Sequence, residues 1–65
     1  MKREDLMPFW GKNVKLEFSN GFVLEGKIVK ITDDTVFFKT SETISAVSLW
    51  NIALIVLKKV NTDGQ

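Results

Sequence analysis

The stretch that determines the fold is VKLEFSNGFVL, residues 14–24. Its first five residues alternate between apolar and charged side chains, and this period of two predicts a half-buried β-strand. Asn20-Gly21 follows, which is a strong signal for a hairpin turn, and a second strand is predicted from Phe22 to about Ile31. Gly26 lies inside that strand, where a glycine indicates a bulge or a sharp bend. A long strand bent near its middle can belong to both halves of a small barrel.

The β pattern continues toward the C-terminus with short polar turns between the strands. The predicted strands cover residues 14–18, 22–31, 35–39, 44–49 and 52–60. Asn61 to Gln65 is predicted to be a frayed polar tail. We therefore expect one domain over residues 1–65, with a mainly β fold: a five-stranded antiparallel barrel.

A short helix is predicted before the first strand. Lys2 to Met7 can form one or two helical turns, and Pro8 is expected to end them because it disfavours helical geometry at the preceding residue. Leu6, Met7 and Phe9 form the side expected to dock against the barrel.

The last predicted strand is apolar along its whole length, with the sequence IALIVL at residues 52–57. An antiparallel strand with one face in water should alternate, so this run indicates that both faces are covered. Two explanations are open. The strand is either central and fully buried, or it lies at an edge and a neighbouring subunit covers its second face, which would otherwise promote aggregation.

Composition limits the chemistry available to this chain. It has 65 residues, no cysteine and no histidine, which excludes disulfides and removes the commonest metal ligand and general base. No set of residues has the pattern of a catalytic site, and no apolar run is long enough for a transmembrane helix. We therefore expect no enzyme activity, catalytic residue, metal, cofactor, small-molecule substrate or membrane partner, and a cytoplasmic location.

Self-association is also suggested by composition. Hydrophobic residues make up 45% of the chain, an ordinary share for a much larger globular protein. A domain this small has little interior in which to bury them. The net charge of +1 gives no strong electrostatic signature of nucleic-acid binding, although a ring can concentrate charge on one face.

Four segments together resemble a known family. They are NGFVLEG at residues 20–26, TVFF at 35–38, VSLWNIA at 47–53 and GKNV at 11–14. In their order and spacing along the chain they are similar to the Sm/LSm family, and most of all to its bacterial Hfq-like branch. The hairpin pattern of that branch is N-G-hydrophobic-x-L-x-G. The resemblance covers about residues 9–57.

This resemblance implies an Sm-like form of the SH3-like barrel, with an N-terminal helix capping five strands. It also implies a closed homo-oligomeric ring in which strands four and five of adjacent subunits pair edge to edge. Such rings bind single-stranded RNA near the pore and, in Hfq, on the opposite face as well.

The pore-side residues implied by the resemblance are Asp33, Asp34, Trp50 and Asn51. The turn between strands two and three departs from the Sm signature, because Asp34 stands at the base-stacking position. Leu49-Trp50 replaces the Lys-His pair of Hfq. Trp50 could still stack on a base and Asn51 could read a base edge. The alternatives are that Trp50 anchors the core or an interface and that the two aspartates form an ordinary turn.

The opposite-face residues implied by the resemblance are Phe22 and Leu24, which match the Hfq pattern together with Gly21. Glu17 stands where Hfq has a base-stacking aromatic. Phe22 and Leu24 can instead be plain barrel residues.

Three functions follow from these observations. The first is an Sm-like ring that binds single-stranded RNA. The second is an Sm-fold ring that acts as a protein-interaction or structural scaffold without RNA, which the departures at the pore-side positions favour. The third is an unrelated, monomeric SH3-like barrel that binds a peptide.

Overall fold

The structure is a computed structural model, and it describes residues 1–58. The predicted tail and the end of the predicted fifth strand, Lys59 and Val60, lie outside these residues. The elements are α1 (Arg3–Leu6), β1 (Asn13–Phe18), β2 (Val23–Ile31), β3 (Thr35–Lys39), β4 (Ile44–Ser48) and β5 (Ile52–Leu57). Two 3₁₀ helices accompany them, Met7–Phe9 after α1 and Leu49–Asn51 between β4 and β5.

The β1–β2 hairpin forms where the sequence predicts it, through a three-residue loop. Phe18 accepts a hydrogen bond from the Gly21 N–H at 2.8 Å and donates its own N–H to the Phe22 carbonyl at 2.8 Å. Gly21 has φ of 89°, a left-handed conformation that glycine adopts without steric cost. The side chain of Asn20 accepts a hydrogen bond from the Phe22 N–H at 2.9 Å. Both residues of the Asn-Gly pair therefore hold the turn.

Strand β2 is irregular, as its glycine suggested. A Cβ at Gly26 would overlap the carbonyl oxygen of Lys39 on β3, so the glycine permits a close approach of the two strands. The β-bulge itself lies further along, between Ile28 and Lys30, and leaves Val29 as the extra residue. The indole N–H of Trp10 donates to the Val29 carbonyl at 3.2 Å and so fixes the N-terminal segment to the bulge.

The core lies on one face of the sheet. Its fully or almost fully buried residues are Leu6, Val14, Leu16, Ile28, Ile31, Val36, Phe38, Leu49 and Ile52. Leu6 anchors α1, and Phe9 packs against the core from the following 3₁₀ helix. The expectation that Met7 also docks is wrong, because its side chain is 40% exposed. Met7 begins the 3₁₀ helix that contains Pro8, and none of the residues of that helix is fully buried.

The five strands form one antiparallel sheet in the order β4-β3-β2-β1-β5. The predicted mainly β fold, the strand number and the short N-terminal helix are confirmed. A closed barrel is not: β4 and β5 are the two edges, and within residues 1–58 they do not pair with each other. β5 is thus an edge strand rather than a central one, although Ile52 is buried and Ile55 packs against the core.

The described helices contain only a few residues each. None of them within residues 1–58 is long and apolar enough to cross a membrane.

Candidate nucleic-acid interface

The 3₁₀ helix Leu49–Asn51, called the linking helix below, lies between β4 and β5 and forms backbone hydrogen bonds to the β2–β3 turn and to the β1–β2 hairpin loop. At its start the Leu49 N–H donates to the Asp34 carbonyl at 3.0 Å, and at its end the Asn51 carbonyl accepts the Ser19 N–H at 2.9 Å. A 3₁₀ helix rises about 2 Å per residue, so these three residues span only about 6 Å between the two hydrogen bonds. The β2–β3 turn, the linking helix and the hairpin loop therefore form one continuous surface.

Trp50 is the central residue of the linking helix and is largely exposed. Leu49 before it and Ile52 at the start of β5 are buried, whereas Trp50 is 69% exposed. The Ser48 hydroxyl caps the helix by accepting the Trp50 N–H at 3.3 Å. In the single chain Trp50 is therefore an exposed residue and does not anchor the core.

Phe22 presents a second aromatic ring at the hairpin. Its side chain is 59% exposed and stacks on Phe18, with ring centroids 6.2 Å apart and ring planes within 9°. Phe18 is partly buried against the core, which gives the outer ring a fixed support. Sequence reasoning identified Phe22 but missed Phe18, whose position at the strand end next to the loop was the available signal.

Asp33 and Asp34 are exposed in the β2–β3 turn. The Asp34 carboxylate accepts hydrogen bonds from the hydroxyls of Thr35 at 3.0 Å and Thr32 at 3.5 Å. These contacts give Asp34 the turn-forming role that was the alternative to ligand binding. Its carbonyl, rather than its carboxylate, connects the turn to the linking helix.

Asn51 and Leu24 occupy different environments. Asn51 is exposed at the end of the linking helix and lines an open cleft of about 380 Å³ between the hairpin loop and β4. Leu24 lies opposite Leu16 in the β1–β2 register and packs against the core. The structure thus brings Asp33, Asp34, Trp50, Asn51 and Phe22 to the surface around the linking helix and turns Leu24 toward the core.

The charged residues of this surface are the two aspartates, Asp33 and Asp34. The salt bridge within residues 1–58 joins Lys58 Nζ to Glu25 Oε1 at 2.8 Å, away from the linking helix. The hydrogen bond and charge of Lys58, with a smaller effect of Lys15, lower the pKa of Glu25. No group of carboxylates in the described part of the chain is arranged to hold a metal ion.

Comparison with known proteins adds no relative. No protein-family model matches this chain, and a search of curated proteins finds no match. Function is therefore inferred from the residues and their geometry.

Proposed function

We propose that this chain is an Sm-like protein that assembles into a closed ring through β4 and β5 and binds single-stranded RNA at the linking helix. The observation that carries RNA binding is the exposed indole of Trp50, held between two turns by backbone hydrogen bonds at both ends of its helix. An aromatic side chain in a fixed position is the usual platform on which an unpaired base stacks.

Ring assembly is supported by the two sheet edges. β5 presents Leu54, Val56 and Leu57 with 41–48% of their side chains exposed, and Ile44 on β4 is 64% exposed. Long apolar edges of this kind are normally paired, covered or blocked by charge. Pairing β4 of one subunit with β5 of the next would satisfy both edges, and a repeated head-to-tail contact closes into a ring when its rotation allows.

The other polar and aromatic groups around Trp50 are suited to the same ligand. Phe22 offers a second stacking surface across the hairpin, and the Asn51 amide can donate to and accept from a base edge. Stacking contributes about 1–3 kcal/mol per base and tolerates many sequences, so two aromatic rings can support binding on a surface without a strong positive charge.

Fluorescence anisotropy of labelled oligo-U and oligo-A, titrated with the protein across a salt series, tests this proposal. Base stacking contributes about 1–3 kcal/mol per base, so we expect Trp50→Ala to weaken binding about 5- to 150-fold. The mass of each variant is measured by light scattering in the same buffer, because Trp50 could also lie at a subunit interface. Equal affinity of the Trp50→Ala ring and the wild-type ring would refute Trp50 as the binding residue.

The two tryptophans provide a matched control. Trp10 is the other tryptophan, 42% exposed and bonded to the β2 bulge. Trp10→Phe leaves Trp50 as the sole indole and should keep the quenching of tryptophan fluorescence by RNA. Trp50→Phe should abolish that quenching. Quenching that disappears in Trp10→Phe instead would place the RNA on the N-terminal segment.

A scaffold ring without RNA is the second candidate, and the acidic turn favours it. Asp33 and Asp34 carry two negative charges next to the linking helix, where they repel phosphate. An intact ring that binds neither oligonucleotide at low salt would support this candidate, with Trp50 then serving as an anchor for a protein partner.

A further inference from the structure

The outward face of β2 and β3 carries three lysines around one aromatic ring. In the strand register Lys27 lies opposite Lys39, and Lys30 lies opposite Phe37. The Lys30 ammonium is 5.8 Å from the centroid of the Phe37 ring, within the range of a cation–π contact. We call these four residues the lysine face.

The β-bulge is what brings the third lysine to this face. Side chains alternate along a strand, so Lys30 would point into the core three residues after the outward-facing Lys27. The extra residue Val29 shifts the alternation by one, and Lys30 therefore points outward while Ile31 returns to the core. Bulges recur near functional sites because they re-aim a side chain in this way. The bond from Trp10 to the Val29 carbonyl holds the bulge in place.

The three lysines of the lysine face form no salt bridge in the part of the chain that the structure describes. Within residues 1–58 no carboxylate lies within 4.0 Å of the ammonium of Lys27, Lys30 or Lys39, since the salt bridge there belongs to Lys58 and Glu25. Directly opposed like charges on adjacent strands are destabilising. Lysines often protect exposed sheet edges, but β2 and β3 are interior strands. The repulsion therefore has no evident structural purpose.

We propose that the lysine face is a second contact surface for single-stranded RNA, in which the three lysines bind phosphates and Phe37 stacks on a base. Adjacent strands are about 4.8 Å apart and residues rise about 3.3 Å along each, so the three ammoniums can follow a few consecutive phosphates. An aromatic ring among cations favours RNA over a lipid surface, because it offers a stacking partner for a base. The inference rests on RNA being the ligand of the proposed function.

The Lys27–Lys39 end of the lysine face is separate from the Trp50 site. Lys39 is five residues beyond Asp34, which corresponds to roughly 16 Å along β3. The two surfaces can therefore be tested independently, and a bound strand can contact both.

The salt dependence of oligo-U binding tests the lysine face. Each phosphate contact contributes about 0.7 to the slope of log affinity against log salt for single strands. We expect Lys27→Gln or Lys39→Gln to reduce the slope by about 0.7, and the double variant by about 1.4. Phe37→Leu should weaken binding about 5-fold or more without changing the slope. Lys15→Gln is the matched control, since Lys15 projects from the same sheet face but lies opposite Glu25 and should leave the slope unchanged.

The outcomes separate this inference from the proposed function. A wild-type slope in the double variant, with binding still sensitive to Trp50→Ala, would overturn the lysine face alone. A reduced slope in the double variant, with no effect of Trp50→Ala, would overturn the Trp50 site and support the lysine face. Vesicles of anionic lipid are tested in parallel. Binding to vesicles that requires Lys27 and Lys39, without any binding of oligo-U, would overturn the RNA assignment. Circular dichroism confirms that each variant is folded.

Discussion

Strand β5 offers a direct test of assembly, because one row of side chains across the sheet contains both a test residue and its control. Leu54 on β5, Glu17 on β1 and Val23 on β2 are neighbours in register on the outward face. Leu54 is 47% exposed and Val23 is 42% exposed, and both lie beside the Glu17 carboxylate. They differ in that β5 is a sheet edge and β2 is interior. We predict that Leu54→Lys weakens assembly and that Val23→Lys does not.

The magnitude follows from the area that Leu54 leaves exposed. Full burial of a leucine side chain is worth about 1.5–3 kcal/mol, so covering the exposed half of Leu54 contributes roughly 0.7–1.4 kcal/mol to each interface. Loss of this term alone weakens each interface about 3- to 10-fold, and the desolvation of an ammonium at a paired edge increases the effect. The fold should survive, because the new lysine gains an opposite charge at Glu17, worth about 0.2–1 kcal/mol.

Sedimentation velocity over a concentration series measures this effect. We expect the wild type and Val23→Lys to form the same closed species, and Leu54→Lys to dissociate at a concentration at least several-fold higher. Circular dichroism should show the same fold in all three. A wild type that remains monomeric at micromolar concentration would refute the ring. Equal dissociation of both variants would show that assembly does not depend on the β5 edge.

Three further predictions concern the fold and its charges. Gly26→Ala should lower the free energy of unfolding by about 1–3 kcal/mol in urea titrations, because the new methyl group overlaps the Lys39 carbonyl, and an unchanged midpoint would refute that close approach. Glu25 has a pKa lowered by Lys58, so its contribution to stability is present above the ordinary glutamate value of about 4.3 and is lost as the pH falls through the lowered pKa. Thermal melts of Glu25→Gln should therefore depend less on pH below about 4.3, and identical pH profiles would contradict this assignment. Lys39→Glu should raise the free energy of unfolding measured in urea by about 0.2–1 kcal/mol, because it replaces repulsion with attraction toward Lys27. The same variant should weaken oligo-U binding.

The sequence predicted the strands well because their signals are local. The period of two and the Asn-Gly pair located β1 and the hairpin loop, and the bounds predicted for β3 agree with the structure. β4 ends at Ser48 rather than Leu49, because Leu49 begins the linking helix and points into the core. The placement of the bulge at Val29 depends on pairing with β3, which a single-sequence pattern does not contain. The predicted closure into a barrel is not confirmed, and the sequence pattern could not decide it, since the edges of a sheet depend on long-range register.

The candidate site was predicted by residue type but not by orientation. Five of the six residues lie around the linking helix, and Leu24 lies opposite Leu16 toward the core. The exposure of Trp50 depends on how the linking helix packs, because Leu49 before it and Ile52 after the helix are the residues that point into the core. The common face of Lys27 and Lys30 depends on the bulge, since their spacing places them on opposite faces of any regular strand.

The surfaces proposed for assembly and for ligand binding lie on different parts of this sheet, so variants can separate the two proposals. The β4 and β5 edges carry exposed apolar residues, whereas Trp50 lies on the linking helix and the lysine face on two interior strands. A ring would repeat the weak Trp50 and lysine contacts around its axis, so several modest sites could act on one strand at a high effective concentration. Leu54→Lys should therefore reduce the affinity for a long oligo-U far more than for a short one, although it touches neither binding surface. An equal loss for both lengths would mean that each subunit binds RNA independently.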